Sequence, residues 1–350
     1  MTLQQKFHAL QPDAFFVESA EPEALAAQLV QLGWIAATQQ IASLARAGEG
    51  NMNLVLRVVL DDGSRFILKQ ARPWAEKFPS VEAPAGRAEV EAEYYRRTAV
   101  EAGIADRSPR LLQADAVSHL LLLEDLGEGS DLSSLYRAGA VLEAEILDTL
   151  MDYLATLHGR FRQPGCGFLI ENRAMRALNA AHIFRIPFAA NLREMGLDLD
   201  AITPGLAALA ADCREDGALQ SRIAALEARY LSMGETLLHG DFFPGSVLRT
   251  AAGLKVIDPE FCFFGDAEFD LGVLIAHLTL AGQPAGFIAQ GLARYRAASE
   301  GFVSISEPLC RQYAGIEILR RLLGFAQLPI SLDLAAKQAL IGTARDWLKR

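Results

Sequence analysis

Residues 237–266 read LLHGDFFPGSVLRTAAGLKVIDPEFCFFGD, and they place four carboxylates among strongly apolar neighbours. Asp258 and Glu260 are separated by one proline, and Asp241 stands seventeen residues before Asp258. A buried carboxylate is costly unless cations or hydrogen bonds compensate it. The stretch therefore calls for positive charge close by.

The spacing suggests which chemistry. Asp241 lies in a loop bounded by Gly240 and the Pro244–Gly245 pair, free of helical or extended constraint. Ser246 follows five residues later, then Asp258. Protein kinases use a catalytic aspartate, an Asn five positions on and a later metal-binding aspartate, and the same order recurs here with Ser246 at the Asn position. Mg²⁺ takes hard oxygen ligands, one or two carboxylates completed by phosphate and water. An extended KVIDPEF would send Asp258 and Glu260 to one side, with Pro259 biasing Asp258 toward that conformation. The expected cation is magnesium on Asp258 and Glu260.

Upstream, the chain supplies what a nucleotide needs. GEGNMNLVLRV is a glycine-containing turn between strands, and Gly48, Gly50, Asn51 and Asn53 are candidates to approach phosphate oxygens. Lys69 in FILKQ is a cation on an otherwise apolar strand. Glu91 on the next helix is the candidate partner to aim it at phosphates, with Glu89 and Glu93 on the same helix. LLLLEDLG offers extended backbone at Glu124 and Leu126 for an adenine edge.

The layout agrees. A helix is expected at 22–33, strands at 41–47, 52–60 and 65–70, a helix at 86–102, and strands at 109–114 and 118–124. From 131 onward the period is helical. The expected fold class is α+β: residues 1–125 form a β-rich nucleotide-binding lobe, and 126–350 a mainly helical lobe with the catalytic loop and acceptor site.

Composition narrows the function classes. The 350 residues are 51% hydrophobic and 22% charged, an ordinary globular balance. A net charge of −10 argues against extended nucleic-acid binding. No run reaches the ~18 apolar residues of a membrane helix, and the first residues lack a secretory pattern. The four cysteines form no CxxC pair and read as reduced thiols. A cytoplasmic location follows, with neither membrane nor nucleic acid as partner. The oligomeric state stays open, a homodimer included.

The stretches GEGNMNLVLRV, LKQARPW, HGDFFPGS, DPEFCFFGDAEFDLG and EILRRLLGFAQ together resemble the aminoglycoside phosphotransferase and choline kinase superfamily, most of all 5-methylthioribose kinases. The resemblance spans residues 48–326 and implies a protein-kinase-like two-lobe fold and ATP as phosphoryl donor. It implies Asp241 as catalytic base, Asp258 and Glu260 on Mg²⁺, Lys69 on the nucleotide phosphates, and Arg320 and Arg321 near the substrate. Ser246 stands where most of the superfamily has a metal-binding Asn. Phe243 and Pro244 replace the His and Thr that follow HGDL in the methylthioribose kinase pattern, next to the acceptor position.

The function expected is phosphorylation of a small-molecule hydroxyl, a methylthioribose-like sugar first. An aminoglycoside, amino alcohol or other metabolite is the alternative acceptor, and a silent nucleotide-binding module the alternative class. A protein kinase is disfavoured because H-R-D and A-P-E blocks are absent from the sequence. His158 and His239 read as structural. Neighbouring helix residues point about 100° apart, so Arg320 and Arg321 are not expected to face one pocket squarely, and a solvated pair is the competing reading.

Overall fold

Alternating burial along Leu54–Leu60 sets the first layer. Leu54, Leu56, Val58 and Leu60 are buried while the residues between them are half-exposed, the period-two pattern of a one-sided strand. The computed structural model, which describes residues 1–48 and 50–349, pairs this strand in a five-stranded antiparallel sheet. Its order is Ile41–Arg46, Leu54–Leu60, Arg65–Gln70, Leu120–Glu124, Leu111–Asp115. The apolar face packs on Leu25 and Leu29 of helix Pro22–Gln31. The DDGS turn closes on Gly63, whose φ of +83° suits glycine.

The expected helix at 86–102 stops at Thr98, because Glu101 is extended, and resumes as the short helix Ala102–Ala105. Two elements go beyond the sequence reading. Helix Leu3–Leu10 starts on a reciprocal Thr2–Gln5 capping box and buries Phe7 against Phe16 and Trp74. Trp74–Ala75 pairs with Phe78–Glu82 as a small hairpin.

Contacts divide the chain into two units: Met1–Gly129 with Thr250–Glu260, and Ser130–Arg249 with Phe261–Arg350. The 250–260 segment joins the first unit through local bonds. The Val256 N–H donates to the Arg107 carbonyl at 2.6 Å, and Lys255 Nζ to the Asp106 carbonyl at 2.7 Å.

The second unit is mostly helical. At its centre lies Ala267–Leu280, the most apolar run of the sequence, with thirteen of fourteen residues buried. A helix apolar all round belongs in a core, and this one lies against Glu307–Leu323 so closely that a Cβ on Gly272 would come within 2.5 Å of Tyr313 Cβ. Thr236–Leu238 pairs antiparallel with Phe263–Gly265, bringing the start and end of the 237–266 stretch side by side. Among the described residues no helix is long and apolar enough to cross a membrane.

Candidate active site

The candidate residues form two clusters, each within one unit. In the first unit, Leu68 faces helix Pro22–Gln31, so alternation turns Lys69 toward helix Arg87–Thr98. There its Nζ lies 2.6 Å from Glu91 Oε2 and 2.8 Å from Asp258 Oδ1. Glu89 instead meets His119 and Glu93 meets Arg97, so Glu91 is the carboxylate that meets the lysine. Burial alone would lower the pKa of Lys69, but Asp258 and Glu91 outweigh it and hold the ammonium above its ordinary value. Burial pushes Glu91 up to about 7 against the pull of Lys69.

Asp258 is not extended, contrary to the sequence reading. Its φ is +62°, and Pro259–Phe261 is a 3₁₀ turn. A non-glycine residue in that region costs about 1–3 kcal/mol, and a following proline disfavours helical backbone further. The ion pair with buried Lys69 is the contact that offsets this, and the Asp258 side chain keeps 48% of its surface exposed.

Glu260 turns elsewhere. Its Oε2 accepts from Asn53 Nδ2 at 2.9 Å and sits 3.1 Å from Arg87 Nε. The expected clamp of two carboxylates on one face is thus replaced by two ion pairs, Asp258 with Lys69 and Glu260 with Arg87.

Arg87 was not singled out by sequence, yet it organises the glycine turn. It is 1% exposed. Its Nε donates to Asn53 Oδ1, Nη1 to the Arg72 and Pro84 carbonyls, and Nη2 to the Met52 and Trp74 carbonyls. All five guanidinium donors are used. The Asn53 side chain is therefore held in this network, bonded to both Arg87 and Glu260. Asn51 and Met52 carbonyls accept from Lys77 and Glu76 N–H groups. Gly48 has φ +88°, and a Cβ on Gly50 would lie 2.7 Å from the Asn53 carbonyl oxygen, so both glycines are required by geometry. Glu49 between them lies outside the described residues.

Glu124 closes its strand, with its side chain accepting from Arg110. Leu126 follows in a segment pinned by Asp125, which accepts from the Gly127 N–H and from Arg57.

In the second unit, Asp270 fixes the loop that carries Asp241. It is fully buried and accepts from the backbone N–H groups of His239 (2.7 Å) and Gly240 (3.0 Å). Gly240 has φ +86°, and a Cβ there would fall 2.1 Å from the Phe261 carbonyl oxygen. His158, bonded to Asp270 and Tyr295, is structural as expected. His239 Nδ1 accepts from the Asp241 N–H, bracing the loop. Ser246 donates its hydroxyl to the Asp241 carbonyl at 2.9 Å, closing the turn from within.

Asp241 itself keeps about 20% of its side chain exposed, while its Oδ1 is buried without a hydrogen-bond partner. Arg321 Nη2 lies 3.7 Å from that oxygen and Arg320 Nη1 4.0 Å. Burial raises the Asp241 pKa, and the two arginines offset part of the rise.

Both arginines reach Asp241 despite their 100° offset, and both also contact Glu317. It lies three and four residues earlier on helix Glu307–Leu323, on the shared face. Its Oε2 is 3.1 Å from Arg320 Nη1, and its Oε1 is 2.5 Å from Arg321 Nε. The solvated-pair reading is thereby replaced: both arginines are buried. Arg321 also stacks on Phe243, 4.9 Å from the ring centre. Burial would raise Glu317, but Arg320 and Arg321 hold it well below the carboxylate range. Because Glu317 can only accept, His277 Nε2 carries the proton toward it at 3.2 Å, and Tyr136 donates to His277 Nδ1 at 2.5 Å. Burial drives His277 down to about 4, so it is neutral at pH 7.

A family model for the phosphotransferase enzyme family matches residues 43–304. The chain belongs to that family. Among curated proteins, this phosphotransferase is 32% identical to methylthioribose kinase of Exiguobacterium sibiricum over 254 residues, 68% of this chain and 61% of that protein. It is 28% identical to methylthioribose kinase of Pectobacterium atrosepticum over 353 residues, covering 87% of this chain and 85% of that one. The chain thus spans less than two thirds of the length of the first of these relatives. Among solved structures, a choline/ethanolamine kinase family protein from Mesorhizobium loti superposes with a TM-score of 0.52 over 94% of both chains at 18% identity. That likeness establishes the protein-kinase-like phosphotransferase fold and nothing finer.

Sequence reasoning missed Arg87, Asp270, Tyr136, His277 and Glu317. Two of them lay inside recognised stretches: Asp270 in the FDLG that ends DPEFCFFGDAEFDLG, and Glu317 as the first residue of EILRRLLGFAQ.

Proposed function

We propose that this phosphotransferase uses Mg²⁺·ATP to phosphorylate a hydroxyl of a small neutral molecule, a methylthioribose-like sugar first. The observation that carries the reading is Asp241 Oδ1, a buried carboxylate oxygen without a hydrogen-bond partner, flanked by two guanidinium groups. Such an oxygen lacks one donor, and an acceptor hydroxyl is a donor of the right kind. Its raised pKa suits a group that receives a proton while charge develops on the attacking oxygen.

Lys69, fixed by Glu91, would contact the nucleotide phosphates, and the Gly48–Gly50 turn would offer backbone N–H groups to them. The segment around Glu124 and Leu126 would meet the adenine edge. For Mg²⁺, Asp258 fits best: it is a half-exposed carboxylate held in a strained conformation. Glu260 and Ser246 fit less well, because both are buried. Among the described residues no three acidic, histidine or cysteine side chains cluster as a metal cage. Bound Mg²⁺ would neutralise charge on the transferring phosphoryl group. Most of the acceleration would come from positioning and electrostatics.

The acceptor class follows from charge. Asp241 and Glu317 balance Arg320 and Arg321 one for one, so the cluster offers neither the acidic surface that a polycationic aminoglycoside requires nor free positive charge for an anion. A silent nucleotide-binding module is disfavoured because Lys69, Asp241 and Asp258 are all present. Free cysteines, three of them buried, suit the cytoplasm, where Mg²⁺·ATP is at hand.

The test is Mg²⁺·ATP consumption with a panel of neutral sugars led by 5-methylthioribose, alongside aminoglycosides and amino alcohols. Turnover of a neutral sugar, reduced about a hundredfold or more in Asp241→Ala with ATP affinity kept, is the expected outcome. ATP binding with turnover of none of these acceptors would favour the silent module.

A further inference from the structure

Glu317 belongs to none of the roles above, yet it is a buried, fully engaged carboxylate of the second unit. Its side chain is 1% exposed and receives donors from three residues on two helices: Arg320 and Arg321 from its own, and His277 from Ala267–Leu280. His277 is itself fixed by Tyr136 on the far side of the ring. Phe243, in the Asp241 loop, packs 5.2 Å from the His277 ring and beneath the Arg321 guanidinium.

Asp241 attracts both arginines only from 3.7 and 4.0 Å, whereas Glu317 contacts them at 2.5 and 3.1 Å and is the nearer carboxylate to each. The arginines' Cα–Cβ bonds diverge by about 100°, and each long side chain gives up rotamer freedom when fixed. Two adjacent guanidinium groups also repel each other. One carboxylate at i−3 and i−4 answers all three difficulties, since it lies on the face both arginines share and carries the opposite charge.

Taking Asp241 as the reacting carboxylate, as in the function proposed above, we propose that Glu317 is a positioning residue: a clasp that holds the Arg320 and Arg321 guanidinium groups beside Asp241 Oδ1. The Tyr136–His277 pair is the brace of that clasp. Tyr136 donates to Nδ1, which leaves the proton on Nε2 and aims it at Glu317. Glu317 acts through the arginines and touches neither substrate. A displacement of the arginine heads by about 1 Å can cost on the order of a hundredfold in rate.

The experiment pairs a spectroscopic readout with a kinetic one in Glu317→Gln and Glu317→Asp. The first removes the charge; the second keeps it and shortens the reach. Arginine Nε–Hε NMR signals of the full chain, assigned with Arg320→Lys and Arg321→Lys, report the clasp without needing any acceptor. Expected are shifted, fast-exchanging Arg320 and Arg321 signals in each variant whose backbone spectrum stays folded. On an acceptor that the wild type turns over, kcat should fall at least about tenfold, as for misplaced catalytic groups, with KM for Mg²⁺·ATP unchanged. Loss of the global fold would instead alter the whole spectrum, and Glu317→Asp then serves as the test.

Wild-type-like arginine signals in a folded variant would overturn the clasp. Displaced signals with unchanged kcat would overturn its positioning role. If the wild type turns over no acceptor at all, the functional reading fails while the NMR comparison still decides the clasp.

Discussion

At Asp241 one residue's environment sets two measurable properties in opposition. Its pKa is raised by burial, so the folded chain binds the proton more tightly than the unfolded chain. Stability therefore falls as pH rises from the unfolded carboxylate value through the folded one, and the loss is complete above both. Asp241→Asn removes that charge. Calorimetry should give it a melting temperature at or above that of wild type at pH 7–8, the difference shrinking toward pH 4, while activity is lost. Arg321 lowers the same pKa, so Arg321→Met should move the acid limb of the kcat/KM profile to higher pH, readable in a buffer series. An unmoved limb would mean that Arg321 does not act on Asp241.

At the scale of elements, helix Arg87–Thr98 carries more than the pairing of Glu91 with Lys69. Its first residue ties the glycine turn, the Trp74 hairpin and Glu260 together through one buried guanidinium. Arg87→Met would leave Glu260 buried beside apolar carbon, and breaking such a pair costs roughly 3–5 kcal/mol. Chemical denaturation should show a loss of that order, and a change below about 1 kcal/mol would contradict the reading. The sequence could not announce this. Arg87 sits in GRAEVEAEYYRR among five other charged residues, and its burial depends on carbonyls distant in the chain. Glu317 stood in the recognised EILRRLLGFAQ, but its role was not legible, because an acidic residue one turn before two arginines reads as an ordinary surface pair. What was legible was order and period: the alternation of the sheet strands, the isolated lysine of FILKQ and the glycine-bounded Asp241. Asp258 was found as a residue but misread as a conformation, since its left-handed backbone is sustained by an ion pair made 189 residues away in sequence.

For the whole molecule, ligand linkage gives the broadest test. A nucleotide that binds only the folded chain stabilises it by about 2.7 kcal/mol at a hundred times its Kd, a thermal shift of several degrees for a chain of this size. Mg²⁺·ATP should produce that shift, a chelator should diminish it, and Lys69→Met should abolish most of it. Asp241→Asn should leave it intact, because the two clusters lie in different units. The division of the chain between those units also has a bearing on biosynthesis. The first unit takes its last segment, Thr250–Glu260, only after more than a hundred intervening residues. At a ribosomal rate of about 5–20 residues per second, Lys69 and Arg87 emerge many seconds before Asp258 and Glu260 exist. The nascent first unit must wait for those two counterions, and a recombinant fragment cut at Gly129 would never receive them.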